Sequence, residues 1–299
     1  MNIEKINDNV FIIDTLAYGE PKTVASYLVK SDDKFALIDV GYAYTHMNII
    51  NALQSINLDP KEITYIIPTH VHLDHSGATG HIARIATKAK IVAHERAKKH
   101  LIDPTKLILS AKEIFGEEKM RVFGTPLPVE EERIISFKEE LELKLGNLTL
   151  RCIYAPGHAP HQMAILLVEK NLLFTADTVG IMQPNLGIMI PTTPPPSFDF
   201  VQATKTLDNL KKYDPAHLTM PHYGYRGDPE HVFDLTKTKM EEWINAVKAF
   251  VKEGLTKDEI IKIMQERIKK EANISDLPAS AKQSILISVS GILNYISNI

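Results

Sequence analysis

The chain has 299 residues, 44% hydrophobic and 24% charged, a composition typical of a soluble globular protein with one large domain or a domain with an appendage. Its formal net charge is -3 with acids and bases interspersed, so no basic field exists to hold a nucleic-acid backbone. A single cysteine, Cys152, excludes an intrachain disulfide; with no signal-peptide core near Met1 and no apolar run of membrane length, the expected location is the cytoplasm.

Short β-branched or aromatic runs at 10–14, 24–30 and 34–40 predict three strands in an antiparallel meander, with Asp32-Asp33 turning the last two. Met47, Ile50, Leu53 and Ile56 then recur at helical spacing, and Asp59-Pro60 ends that helix before a strand at 63–67. A helical stripe (Ile82, Ile85, Ala86), a short strand at 90–93 and helices at 95–101 and 104–115 follow. Residues 116–132 hold Gly124, Pro126 and Pro128 without a clear period and read as a loop, so 95–132 is an inserted cover on a catalytic domain spanning 1–231.

A second β set occupies 140–145, 148–153, 163–168 and 171–175, with Gly146-Asn147 as a hairpin turn because both residues tolerate positive φ. The prolines within 191–196 forbid regular structure; 198–213 is helical and 217–220 is a last short strand. Residues 232–299 form a helical C-terminal region punctuated by Gly254 and Pro278, with a capping box at Thr256 to Glu259. Two successive rounds of strands followed by helix predict two sheets packed face to face with helices outside.

The chemistry concentrates after the 63–67 strand, in Thr69-His70-Val71-His72-Leu73-Asp74-His75-Ser76-Gly77. Alternate residues of an extended segment point the same way, so His70 and His72 can share one cation, while Asp74 and His75 can face a second. A polar loop with solvated histidines is the plain alternative; four ligand-type side chains within six residues weigh against it. His158 in Pro156-Gly157-His158, Asp177 in Thr175-Ala176-Asp177 and His222 in Met220-Pro221-His222 each stand directly after a predicted strand. Any one alone would be an ordinary loop residue.

In this order the residues resemble the metallo-β-lactamase superfamily over roughly 8–225, which implies an α+β, four-layer αββα sandwich with a dinuclear site at one edge. The resemblance implies that His70, His72 and His158 bind one metal, that Asp74, His75 and His222 bind the other, and that Asp177 bridges them. The ions would be zinc, with iron or manganese as alternatives. The implied reaction is hydrolysis of a small-molecule ester, lactone or thioester by a bridging hydroxide, with Asp74 as the catalytic proton shuttle. Asp39, His161 and Tyr223 are expected behind the ligands, orienting them. Cys152 matches no ligand position and reads as a small buried residue.

Asp177 stands where β-lactamases of the superfamily carry Cys or Ser, which argues against penicillin hydrolysis. Similar flavodiiron oxidoreductases have Glu at the His72 position. An iron persulfide dioxygenase and a phosphodiesterase of the same fold are the alternatives to an esterase. Ser76-Gly77-Ala78 interrupts the Gly-Gly of glyoxalase II-type enzymes. Acyl-homoserine lactonases place a Tyr three residues after the bridging Asp; here that residue is Gly180, leaving Tyr42, Tyr223 and Tyr225 as candidate oxyanion donors. The apolar stretch from Val179 to Ile190 reads either as an acyl-binding wall or as core. No partner beyond a small-molecule substrate is expected, neither nucleic acid nor membrane; the C-terminal helices and the insertion would cover the site or build a homodimer.

Overall fold

A computed structural model describes residues 2–183 and 186–299. In chain order the elements are β1 (Ile3–Lys5), β2 (Val10–Asp14), β3 (Ala25–Ser31), β4 (Lys34–Ile38), α1 (His46–Ser55), β5 (Ile63–Ile67), α2 (Leu73–Ser76), α3 (Thr79–Ile85) and β6 (Lys90–His94). Next come α4 (Glu95–Ile102), α5 (Thr105–Phe123), β7 (Ile134–Phe137), β8 (Glu140–Leu145), β9 (Leu148–Tyr154), β10 (Met163–Leu167), β11 (Leu172–Phe174), β12 (Ile181–Gln183) and β13 (Ile188–Ile190). The chain closes with α6 (Phe200–Lys211), β14 (His217–Met220), β15 (Gly224–Arg226), α7 (Pro229–Lys252), α8 (Lys257–Ala272) and α9 (Ala279–Ser297).

Strands β1 to β7 form one sheet in sequence order, antiparallel through β4 and parallel from β4 to β7. The second sheet runs β15-β14-β11-β10-β9-β8, and β12 and β13 pair separately. Alternation of side chains along each strand builds the layers. Val10, Ile12, Tyr27, Ala36 and Ile38 of the first sheet meet Leu150, Cys152, Ile165 and Leu167 of the second in a shared core. The opposite face of the first sheet carries Ile13, Phe35 and Leu37 against α1, α3 and α4. The opposite face of the second carries Ile153, Ala164 and Leu166 against α6 to α9. This is the helix–sheet–sheet–helix order expected from the sequence. Cys152, in the middle layer, is fully buried, and burial pushes its thiol up to about 12.

The structure departs from the sequence reading where short segments take their conformation from neighbours. The three-residue β1 and four-residue β7 are edge strands, too short to show alternation, and exist through pairing with β2 and β6. Gly116 was expected to open a loop; its φ of 79° breaks the helix for one residue only, and α5 resumes to Phe123. The resumed turns are built from good helix formers; Phe123 stacks on Tyr42, and Phe115 and Met120 pack against the same cluster. Of the apolar stretch after Asp177, Val179, Ile188, Met189 and Ile190 join the cluster beneath α7 to α9. Among the described residues no helix is long and apolar enough to cross a membrane.

The C-terminal helices share that cluster, with Trp243, Val247, Ile285 and Val289 packed on the second sheet. Helix α9 lies directly on the proline-rich segment: Ser288 Oγ donates to Pro191 O at 2.5 Å, and Thr193 Oγ1 donates to Ser288 O at 3.0 Å. A Cβ on Gly291 would fall 1.7 Å from Thr193 O, so only glycine permits this approach. Gly291→Ala should therefore destabilise the fold by about 1–3 kcal/mol, or swing α9 outward, as overpacked contacts do. Urea unfolding would read the loss; an unchanged midpoint would contradict this account of the packing.

Candidate metal centre

Strands β9 and β11 flank β10 and are antiparallel to it, so they run in one direction, and β14 is parallel to β11. The C-terminal ends of all three reach the same rim of the second sheet, and from them hang His158, Asp177 and His222. The first sheet adds β5, whose C-terminal end carries His70 and His72 and continues into α2 with Asp74 and His75. Two backbone hydrogen bonds join the rims, Met163 N–H to Thr69 O at 2.9 Å and Ala25 N–H to Pro221 O at 2.7 Å. Gly157, at φ 130°, lets the His158 loop lie on α6, where a Cβ would be 2.4 Å from Ala203 N.

The structure brings together all seven residues read as ligands. His72 Nδ1 lies 3.0 Å from both His70 Nε2 and His158 Nε2. His70, His72 and His158 form one group whose donor atoms lie within 4.8 Å of one another, and Asp74, His75 and His222 form a second. Asp177 Oδ2 joins them, 3.3 Å from His158 Nε2 on one side and 3.4 Å from His222 Nε2 and 3.6 Å from His75 Nε2 on the other.

The ring nitrogens facing away from the cluster decide which atoms face in. His75 Nδ1 is 2.9 Å from Asp39 Oδ2, and His158 Nδ1 is 3.1 Å from Thr192 O. Both partners accept, so each Nδ1 carries a proton and donates it, and Nε2 is left to present its lone pair inward. His70 Nδ1 is likewise held by Thr69 Oγ1 at 3.0 Å. Asp39 also accepts from Thr69 N–H at 2.7 Å and sits at φ 53°, a strained conformation for a non-glycine residue. Asp39, expected behind the ligands, lies against His75.

Charge balance in the cluster is divided. Burial, reinforced by neighbouring rings, holds His70 well below the usual imidazole range and drives His72 down to about 3. Burial also opposes a charge on His75, but Asp74, Asp177 and Asp39 outweigh it and hold His75 well above that range. His222 is raised in the same way by Asp177 and Asp74. Asp177, despite burial, is held well below the carboxylate range by His222, His75 and His158. His75 Nε2 and Asp177 Oδ1 are buried without any hydrogen-bond partner. Unpartnered buried donor atoms of this kind, nitrogen and carboxylate oxygen in two adjoining groups, fit borderline divalent cations.

The cluster opens into a cavity of about 440 Å³. Ile181 is the one residue of the stretch after Asp177 among the described lining residues; the apolar wall comes mainly from elsewhere, including Leu107, Ile114 and Phe115 of α5, Pro194–Pro196 and Ile287 of α9. Lys119 of α5 hydrogen-bonds Gln283 of α9, which lines the cavity. His161 lines the cavity, accepting from Val71 N–H at 3.5 Å, and burial among His72 and His100 holds it far below the usual range. Tyr223 does not reach the cavity: its ring packs in the inter-sheet core, 5.8 Å beneath Lys22 Nζ, at φ 71°. Tyr225 stacks on His217 at the surface, whereas Tyr42 does line the cavity. Sequence reasoning missed Tyr18, Leu107, Thr192 and Ser284, which also line it and carry no local motif.

Two outcomes follow. Asp39→Ala removes the acceptor for His75 Nδ1 and should weaken metal binding about 10–100-fold in a chelator competition, with the circular dichroism spectrum retained. Protons on His75 and His222 stabilise the metal-free fold at low pH, and that contribution disappears as pH rises through their raised values. A cation must displace those protons, so its affinity should increase with pH and its binding should release protons, measured by calorimetry in buffers of different ionisation enthalpy; zero net release would contradict the assignment.

The family model described as the metallo-beta-lactamase superfamily matches residues 19–222. The metallo-beta-lactamase fold-containing protein ST1585 of Sulfurisphaera tokodaii is 28% identical over 207 residues, covering 68% of this chain and 74% of that protein. The crystal structure of ST1585 superposes with a TM-score of 0.68 at 23% identity, over 93% of this chain and 94% of its own. The coenzyme F420H(2) oxidase of Methanothermobacter marburgensis is 29% identical over 163 residues, 53% of this chain but 35% of the oxidase. The atrochrysone carboxyl ACP thioesterase of Aspergillus fumigatus is 24% identical over 155 residues, 52% of this chain and 39% of the thioesterase. Fold, ligand geometry and family match agree: the chain belongs to the metallo-β-lactamase superfamily.

Proposed function

We propose that the chain is a dinuclear metallohydrolase that cleaves an ester, lactone or thioester bond in a small molecule. The observation that carries this reading is the position of Asp177 Oδ2, within 3.6 Å of nitrogens from both ligand groups, where one carboxylate would serve two cations. His70, His72 and His158 would hold the first ion and Asp74, His75 and His222 the second, with Asp177 between them. Two divalent ions, zinc in the first instance, supply there the positive charge that acidifies water and steadies an oxyanion.

The remaining work falls to the protein. Asp74 is the ligand-group carboxylate with the greater exposure, its side chain 22% accessible at the cavity floor. It can take the proton that the attacking water loses and pass it to the departing oxygen or sulfur, so that the C–O or C–S bond breaks as a neutral alcohol or thiol leaves. The buried second nitrogens of His75 and His158, tied to Asp39 and Thr192, keep the ligands from turning during the reaction. The apolar wall of α5, the proline run and α9 favours a substrate with a hydrocarbon portion over a bare polar one. The thioesterase relative supports the acyl-transfer reading.

The oxidase relative favours a second reading, redox chemistry, for which an iron-loaded site and an organic persulfide are the pair to try. A panel of lactones, glutathione thioesters, phosphodiesters, β-lactams and an organic persulfide on zinc- and iron-loaded protein separates the two. We expect zinc near two equivalents with thioester or lactone turnover, lost together with metal in His72→Ala, and a kcat about 10²–10⁴-fold lower in Asp74→Asn. Iron near one equivalent with persulfide-dependent oxygen uptake would establish the second reading instead. Hydrolysis undiminished in His72→Ala would overturn the first.

A further inference from the structure

The cavity contains one donor arrangement that the ligand set does not use. Tyr18 Oη and Tyr42 Oη lie 2.6 Å apart, and neither has another hydrogen-bond partner among the described residues. Both residues line the cavity together with Asp74. Two hydroxyls carry two protons, and a single hydrogen bond between them uses one. The hydroxyl that accepts therefore keeps a proton for something outside the pair.

Burial decides which hydroxyl that is. Tyr42 is 5% exposed, its ring stacked on Phe123 with centroids 4.5 Å apart and on Tyr44 at 5.9 Å. A free proton on Tyr42 would be a buried donor with nothing to donate to, which is costly. Tyr18 is half-buried, so its remaining proton can reach the cavity. The lower-energy arrangement has Tyr42 donating to Tyr18 and Tyr18 donating outward.

The backbone holds Tyr18 in place at some expense. Its φ is 60°, and Leu16 and Lys22 are also in the left-handed region, at 54° and 60°. The loop is clamped by Asp14, whose carboxylate accepts from Leu16 N–H at 2.9 Å and Lys22 N–H at 2.8 Å, and by Tyr44 Oη, which accepts from Tyr18 N–H at 2.6 Å. Non-glycine residues persist in such conformations where the surroundings over-determine them, and they concentrate at functional sites.

We propose that Tyr18 is a catalytic hydrogen-bond donor to the oxygen that becomes negatively charged during the reaction, and that Tyr42 is the positioning residue behind it. The inference rests on the hydrolase reading. The donor comes from a loop far from the ligands in sequence, in a chain whose residue three places after Asp177, Gly180, has no side chain to donate. A preorganised donor aimed at developing charge acts more strongly in a water-poor cavity than in solution.

The test uses the zinc-loaded full chain and phenylphosphonate, a tetrahedral anion whose binding requires no turnover. Tyr18→Phe should weaken phenylphosphonate binding about tenfold in calorimetry, with zinc content and the cobalt(II) absorption spectrum unchanged. Tyr42→Phe should weaken it less, and adding Tyr42→Phe to Tyr18→Phe should change nothing further, because a positioning role vanishes with the group it positions. A purely structural role for Tyr42 would instead weaken both backgrounds equally. Wild-type affinity in Tyr18→Phe, absence of phenylphosphonate binding by the wild type, or a larger loss in Tyr42→Phe than in Tyr18→Phe would overturn the proposal. If a substrate is turned over, Tyr18→Phe should lower kcat and leave KM nearly unchanged. A wild type that binds phenylphosphonate through Tyr18 but hydrolyses nothing would sink the hydrolase reading while leaving the donor assignment standing.

Discussion

Asp177 is 5% exposed and carries one oxygen without a hydrogen-bond partner, a combination that would be expensive for an isolated carboxylate. Imidazoles from three other loops offset that cost and hold it ionised. Each of those loops must therefore end within about 4 Å of one point, and the arrangement of strands at the rim follows from that requirement. Parallel β14 and β11, and β9 two places along, deliver their side chains at the same edge because strands running in one direction end on one side. The first sheet has to supply the remaining residues from across the middle layer, and the bonds from Met163 to Thr69 and Ala25 to Pro221 hold the two rims at that distance.

Around this point the protein divides labour by depth. Asp39 and Thr69, buried behind the cavity, and Thr192, half-buried at its wall, set which ring nitrogen points inward. The ligands form the floor, and Asp74, more exposed than Asp177, is the group with room to move a proton. Above them α5 and α9 close the cavity, joined through Lys119 and Gln283. Helix α9 is tied to the proline segment by Ser288 and by the close approach at Gly291, so the C-terminal region is part of the site's wall.

Several parts of this were legible in the residues themselves. The strand at 63–67 followed by His70, His72, Asp74 and His75 marks a metal-capable turn because local spacing alone puts those groups within reach of each other. The capping box at Thr256 and Glu259, both halves of which are formed, is equally local. His158, Asp177 and His222 were legible as strand-end residues and through family likeness, since nothing in their immediate neighbourhoods distinguishes them from ordinary loop residues.

The sequence by itself determined the layers, through alternation in the strands, and the donor set, through residue type at strand ends taken together with likeness to the family. Tertiary structure alone decided what surrounds the donors. In sequence the apolar residues after Asp177 read equally as pocket wall or as core; Val179, Ile188, Met189 and Ile190 lie in the core under α7 to α9, and Ile181 lines the cavity. Tyr223, adjacent in sequence to His222, points into the inter-sheet core, while Tyr18, over two hundred residues away, reaches the cavity. Hydrophobic patterning states that a side chain is buried but not against which partner. The partners here are chosen by packing between segments distant in the chain, and they determine the cavity's shape and chemistry.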